Sequence, residues 1–263
     1  MFADPTGPQP RRGLGAHVAL PLVLAFVACA HQDFATDYAR EERWAQEVLP
    51  AIVVGDPVYL STPKRPKVLS ILAEPSGTAK GGVVIVHGLG VHPDWGVNGG
   101  VRTRLAETGF VTLSVQMPVL AADATRDDYR ATLPEASDRI AAAIRYLREQ
   151  GLRKVAIVSH SYGSTMVNVY LARPDALPID AWVPIGMFGT FDATPNEPVL
   201  DIVAEHDARE VLADAKRRAR EPPQGGCSRQ LTVAGTDHYF DNRHPQLTGA
   251  IAAFLDRVFS GGC

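Results

Sequence analysis

Residues 154–166 read Lys-Val-Ala-Ile-Val-Ser-His-Ser-Tyr-Gly-Ser-Thr-Met. The short apolar run Val155–Val158 stops at Ser159-His160-Ser161-Tyr162-Gly163, and an amphipathic stretch, Thr165 to Ala172, follows at once. This is the pattern of a buried strand, a turn of small residues and a helix, with Ser161 at the apex. A nucleophile elbow, G-x-S-x-G, needs small residues two before and two after its serine, because strand and helix nearly collide there. Ser159 stands where the first glycine is usual, and its small side chain is expected to fit. The competing reading is a plain helix start with Ser159 or Ser161 as N-cap. Five residues do not separate the two, so the surrounding chain has to decide.

Moving outward, apolar strands alternate with amphipathic helices. Strands are expected at Pro57–Ser61, Val68–Ala73, Gly82–Val86, Phe110–Gln116, Ala181–Phe188, Val199–Ala204 and Gln230–Ala234. Helices are expected at Asn98–Thr108, Pro134–Gln150, Ala208–Arg220 and Gln246–Phe259. An earlier helix, Asp33–Leu49, is closed by Pro50 and is expected to pack outside the domain, away from the chemistry. Such alternation means an α/β fold with a parallel sheet covered by helices on both faces. Ligands then sit beyond the carboxyl ends of the strands.

A serine hydroxyl is a poor nucleophile near neutrality and needs a base, itself oriented by an acid. Asp207 falls just past the strand Val199–Ala204, and His238 follows the strand Gln230–Ala234 through Gly235-Thr236-Asp237. Ser161, Asp207 and His238 therefore occur in the order Ser, Asp, His, each at a strand's carboxyl end. Taken singly, Asp207 reads equally well as a helix N-cap and His238 as a loop histidine; together with the elbow they form a triad. Asp201 lies within its strand and Asp237 adjoins the base, so both are weaker choices for the acid. His160, at a tight turn, is expected to point elsewhere, His87 to support its loop by hydrogen bonding, and His206 to stand at the rim. The run His87-Gly88-Leu89-Gly90 follows a strand and supplies the remaining part, an oxyanion hole from the amides of Leu89 and Tyr162. Only about ten residues, Gly189–Pro198, separate two strands where a helical cap could be inserted, so no cap domain is expected. The open site would be walled by 91–100 and 119–133, with Trp95 and Tyr129 as candidate substrate-lining residues. No HExxH, no His/Cys ligand spacing, no GxGxxG and no P-loop is present, so no metal and no cofactor is expected.

The runs HGLG, SHSYG, LDIVAEHD and GTDH resemble the serine α/β-hydrolase superfamily over roughly residues 58–259. His92-Pro93-Asp94-Trp95, Thr112–Pro118 and the leading REERWAQEVLP are further similar to a bacterial cell-envelope branch of it. The resemblance implies the α/β-hydrolase fold: an eight-stranded, mostly parallel sheet flanked by helices, with the triad at one edge. The site residues, with the leader described below, are read as an exported serine hydrolase, a carboxylic ester hydrolase working through an acyl-enzyme on small-molecule or envelope-derived esters; the resemblance itself names no substrate. A peptidase, an acyltransferase or a non-catalytic envelope lipoprotein on the same scaffold are the alternatives.

The chain has 263 residues and a net charge of −3, which fits one domain plus a leader and leaves no nucleic-acid footprint. The one dense basic run, Lys216-Arg217-Arg218-Ala219-Arg220, is expected to be a solvated helix end. Residues 1–30 read as a signal peptide: Arg11 and Arg12 precede the apolar run Val18–Ala28, too short for the ~20 residues a membrane span needs. Cleavage before His31 gives a soluble product. Cleavage before Cys29, after Phe26-Val27-Ala28, gives a lipidated Cys29 and membrane attachment in the bacterial periplasm or at the outer membrane. Either way Cys227 and Cys263 are left as an even pair in 31–263. The strand after Cys227 climbs about 17 Å and the last helix descends about 21 Å, which returns Cys263 to the level of Cys227. A disulfide is expected; a frayed tail with a free thiol is the alternative.

Overall fold

The computed structural model describes residues 1–3, 7, 35–223, 225–241 and 243–263. The leader readings at Arg11, Arg12, Val18–Ala28 and Cys29 fall outside the described residues. Eight strands form one sheet: β1 (Asp56–Leu60), β2 (Val68–Ala73), β3 (Gly82–Val86), β4 (Val111–Val115), β5 (Val155–His160), β6 (Ala181–Ile185), β7 (Leu200–Ala204) and β8 (Arg229–Val233). Their order is β1-β2-β4-β3-β5-β6-β7-β8. The β1–β2 and β2–β4 pairs are antiparallel and the rest parallel, so the sheet is mostly parallel, as expected.

Six α-helices are described: α1 (Tyr38–Val48), α2 (Val97–Glu107), α3 (Leu133–Glu149), α4 (Tyr162–Leu171), α5 (Arg209–Arg218) and α6 (His244–Phe259). Alternate residues of the central strands serve opposite faces. Val84 and Val86 of β3 join Ile140, Ile144 and Leu147 of α3 and Met166 and Val167 of α4. Val83 and Ile85 join Val101 and Leu105 of α2 and Ile251, Phe254 and Leu255 of α6. That double cover is why β3 and β5 are buried along their whole length. No helix interrupts the connection from β6 to β7, so the carboxyl ends of the strands carry no cap.

Cys227 and Cys263 form a disulfide, with their Cα atoms 5.4 Å apart. The bridge joins the entry of β8 to the segment beyond α6.

Two expectations need correction. The basic run at the end of α5 is not uniformly solvated, because Arg218 is buried. Its guanidinium grips both oxygens of Asp201 at 2.9 and 3.0 Å and donates to the carbonyls of Met187 and Gly189. A buried carboxylate is tolerable only when paired in this way, and the pair ties β7 to the loop leaving β6. Nor does α1 lie apart from the strand ends, since the Asp37 amide at its start donates to the Val119 carbonyl, in the segment after β4, at 2.7 Å. Arg139 of α3, fully buried, ion-pairs with Glu41 at 2.9 Å and with Glu135 at 2.5 Å. Thr36 and Tyr38 donate hydroxyls to Glu135. Burial pushes the Glu41 carboxyl above its ordinary value, against the pull of Arg139.

Candidate active site

β5 ends at His160, and the chain turns sharply into α4 through Ser161, which adopts φ 56 and ψ −126. This is the left-handed side of the backbone map, costly for a residue with a Cβ. The turn is held by Ser161 N–H donating to the Ile185 carbonyl at 2.8 Å and by Ser164 N–H donating to the Ser161 carbonyl at 2.9 Å. Gly163 is obligatory, since a Cβ there would lie 2.5 Å from both the Val86 and His87 carbonyl oxygens. The serine at 159 fits for a specific reason. Its hydroxyl accepts from Trp182 Nε1 at 2.9 Å and bonds the Ser164 hydroxyl at 2.9 Å. A buried polar group with partners carries little penalty. The strand, strained serine and helix of the expected elbow are all present.

β7 delivers Asp207 and β8 delivers His238 to the same place. Asp207 Oδ1 is 2.7 Å from His238 Nδ1, and His238 Nε2 is 2.9 Å from Ser161 Oγ. Asp207 Oδ1 also accepts from the Ala208 amide at 2.8 Å, which fixes the carboxylate plane. The imidazole is packed by the rings of Phe188 at 5.7 Å, Tyr239 at 5.7 Å and His160 at 5.0 Å. The rival acids are elsewhere engaged: Asp201 with Arg218, and Asp237 with the Tyr239 amide. His206 is exposed beside Glu205 and does not line the cleft.

His160 departs from expectation. It lines the cleft, and its Nε2 is 2.9 Å from the His238 carbonyl oxygen. A carbonyl only accepts, so Nε2 carries the proton; burial lowers the ring's pKa to about 4 and keeps it neutral.

The loop after β3 approaches the serine closely, a Cβ on Gly88 falling 3.1 Å from Ser161 Cβ. His87 is fully buried, with its pKa lowered to about 3, chiefly by desolvation. The Met117 amide donates to Nε2 at 2.8 Å, so Nδ1 holds the proton, and it lies 2.8 Å from the Gly88 carbonyl oxygen. That carbonyl belongs to the peptide unit whose other end is the Leu89 N–H. In a trans peptide the two point in opposite directions, and no peptide bond here is cis. Pinning the carbonyl on His87 therefore turns the Leu89 N–H away from His87. Among the described residues, neither the Leu89 nor the Tyr162 amide N–H has a hydrogen-bond partner. The latter opens α4, whose amino end carries partial positive charge.

A cleft of about 830 Å³ lies over Ser161. Its wall is largely apolar, from Leu89, Val91, Trp95, Val97, Phe188 and Tyr239, with Arg126 and Asp241 as charged members. Trp95 lines it, as expected. Tyr129 does not: only 3 % exposed, it accepts from the Leu120 amide at 3.0 Å and packs edge-on against Tyr162. It is a strut beneath the loops. Arg126, Phe188, Tyr239 and Asp241 also line the cleft and were not singled out from the sequence; of these, only Tyr239, next to His238 in the chain, carried a signal.

No protein-family model and no curated protein matches the sequence. Solved structures do resemble it. A lidless α/β serine hydrolase from Xanthomonas campestris aligns with TM-score 0.64 at 16% identity, over 78% of this chain and 95% of that one. Est1E from Butyrivibrio proteoclasticus aligns at 0.60 and 16%, over 78% and 99%. A dienelactone hydrolase from Anabaena variabilis aligns at 0.57 and 21%, over 79% and 97%. With the sheet order, the elbow and the capless strand ends already in place, this likeness shows that the chain has the α/β-hydrolase fold.

Proposed function

We propose that the protein is a serine hydrolase that cleaves carboxylic esters through an acyl-enzyme. The observation that carries this reading is the unbroken chain from Asp207 Oδ1 to His238 to Ser161 Oγ, at 2.7 and 2.9 Å, ending on a strained serine in an open cleft. His238 Nε2 takes the Ser161 hydroxyl proton as Oγ attacks the ester carbonyl carbon. The carbonyl oxygen becomes an oxyanion, received by the Leu89 and Tyr162 amides. His238 returns the proton to the departing alkoxide, which leaves as an alcohol. Water, deprotonated by the same nitrogen, then attacks the acyl carbon, and a carboxylic acid leaves as Oγ regains its proton. Asp207 keeps the Nδ1 proton in place and stabilises the imidazolium without itself becoming protonated.

The capless, mostly apolar cleft suits small-molecule esters, and acyl-length selectivity is expected to be weak. The esterases and hydrolases among the structural relatives support the reaction class. Steady-state hydrolysis of 4-nitrophenyl esters tests it. Ser161→Ala and His238→Ala should lower kcat by up to about 10⁶-fold, and a folded Ser161→Ala variant with near-normal turnover would refute it. Export belongs to the same proposal: the basic-then-apolar leader and the disulfide both favour an oxidising compartment. The mass of the mature amino terminus, starting at Cys29 with lipid or at His31 without, decides between the two products; retention of Met1 on exported protein contradicts both.

A further inference from the structure

We infer that α1 is part of the active-site machinery and that Arg40 is a positioning residue for the oxyanion loop. The inference rests on the proposed role of the Leu89 amide.

The loop Gly88–Gly90 is built to approach substrate closely, with Gly90 at φ 64, and nothing in its own sequence makes it rigid. His87 secures its first peptide, through the Gly88 carbonyl. The far side is secured from α1. Arg40 Nη2 donates to the Gly90 carbonyl at 3.3 Å, and Nη1 donates to the Leu120 carbonyl at 2.6 Å. One guanidinium thus bridges the oxyanion loop to the segment following β4, across separations of 50 and 80 residues. The Leu89 N–H lies between two carbonyls that are each gripped by a buried or braced side chain.

Arg40 is itself held. Its Cζ stacks 4.5 Å over the Trp44 ring one helical turn on, so the planar fork has little freedom. Trp44 meets His92 edge-on at 5.9 Å, and His92 meets the cleft-lining Trp95 at 5.6 Å. The Asp37 side chain caps α1 by accepting from the Arg40 amide at 2.8 Å, and the Asp37 amide donates to the Val119 carbonyl at 2.7 Å. The helix therefore touches both loops that wall the cleft, while the Glu41–Arg139 pair anchors it to α3. An electrostatic hole stabilises an oxyanion in proportion to how firmly its donors are aimed beforehand. Loss of the Arg40 fork would leave the Gly90 peptide free to rotate and the Leu89 N–H poorly aimed in the transition state.

Arg40→Ala and Arg40→Lys, made in the full chain, test this. For 4-nitrophenyl acetate, kcat of Arg40→Ala is expected to fall about 10- to 100-fold, somewhat less than outright loss of an oxyanion donor, with KM within about twofold of the parent. Phosphonylation of Ser161 by a fluorophosphonate should slow in parallel, because its transition state also places charge in the hole. Arg40→Lys, which keeps the charge but not the fork, should recover only part of the loss, and added guanidinium should partly rescue the alanine variant. Arg65→Ala is the control. Arg65 contacts Glu41 at 3.4 Å and stacks on Tyr38, so its removal takes contacts from α1 but leaves the Glu41–Arg139 anchor and every Arg40 contact in place, and should leave kcat intact. Equal kcat for Arg40→Ala and the parent overturns the inference, as do losses in Arg40→Ala and Arg65→Ala that simply track melting temperature. An inactive Ser161→Ala beside a fully active Arg40→Ala would sink this inference alone; an active Ser161→Ala would sink the reading on which it rests.

Discussion

Replacing Gly186 by alanine sets a methyl group against the imidazole of His238. Gly186 follows β6 at φ 58, a conformation that costs an L-residue about 1–2 kcal/mol. The added Cβ would fall 2.9 Å from His238 Cε1, 3.0 Å from Nδ1 and 3.4 Å from Asp207 Oδ2. Carbon contacts relax only near about 3.5–4.0 Å, so ring or backbone has to retreat by roughly half an ångström or more. The ring has little room to do so, being bonded at both nitrogens and packed by Phe188, Tyr239 and His160. Displacements of about 1 Å in a reacting constellation cost about 10²-fold. For Gly186→Ala, kcat/KM on 4-nitrophenyl butyrate is therefore expected to fall about 10- to 100-fold. The melting temperature should drop by only about 2–8 °C, the consequence of the backbone strain in a domain of this size. Kinetics and thermal melting on the same preparation separate the two effects. Unchanged kcat/KM in a variant that melts normally would refute the packing of His238 described above.

Three further outcomes follow from other parts of the molecule. Ser159→Ala strands the Trp182 indole N–H and should cost about 1–3 kcal/mol by urea unfolding while leaving kcat nearly intact, since Ser159 touches no reacting atom. Reduction of the Cys227–Cys263 bridge, which spans 36 residues of sequence, should cost about 2–4 kcal/mol and spare activity, measured by melting with and without a phosphine reductant. Stability should also fall in acid. His87 and His160 have folded pKa values of about 3 and about 4 against an ordinary 6.5, so below pH 6.5 the unfolded chain binds more protons. Their contribution is complete above about pH 6.5 and is lost as pH falls toward 4 and then 3, with a slope of up to about 1.4 kcal/mol per pH unit for each ring. Denaturant unfolding at pH 7 and pH 5 measures it, and His160→Gln should flatten the dependence.

The parts of the site that the sequence disclosed are those carried by local pattern. Ser161, Asp207 and His238 each follow an apolar strand, and strand ends in a parallel sheet converge on one edge, so their meeting follows from the pattern alone. The glycine at 163 announced its tight contact through its place in the pentapeptide. What stayed hidden depends on partners far along the chain. Ser159 is acceptable because Trp182 and Ser164 satisfy its hydroxyl, which no five-residue motif encodes. Arg218 looks like its solvated neighbours, yet it lies inward because Asp201 is buried in β7. Tyr129 and His160 depart from expectation for the same reason: whether a ring at a strand end or in the segment beyond it faces the cleft or braces it is settled by the neighbouring strand ends. In sequence α1 reads only as a helix closed by Pro50, and only the three-dimensional arrangement reveals that Arg40 reaches Gly90.

The nucleophile assignment is reached most directly by covalent capture. The intact protein should be treated with a fluorophosphonate near pH 7.5, digested and mapped by mass spectrometry, alongside Ser161→Ala and His238→Ala. A single phosphonyl adduct on the peptide containing Ser161 is expected, absent from Ser161→Ala and strongly slowed in His238→Ala. An adduct on another residue, or equal labelling of Ser161→Ala, would contradict the assignment of Ser161 as the nucleophile.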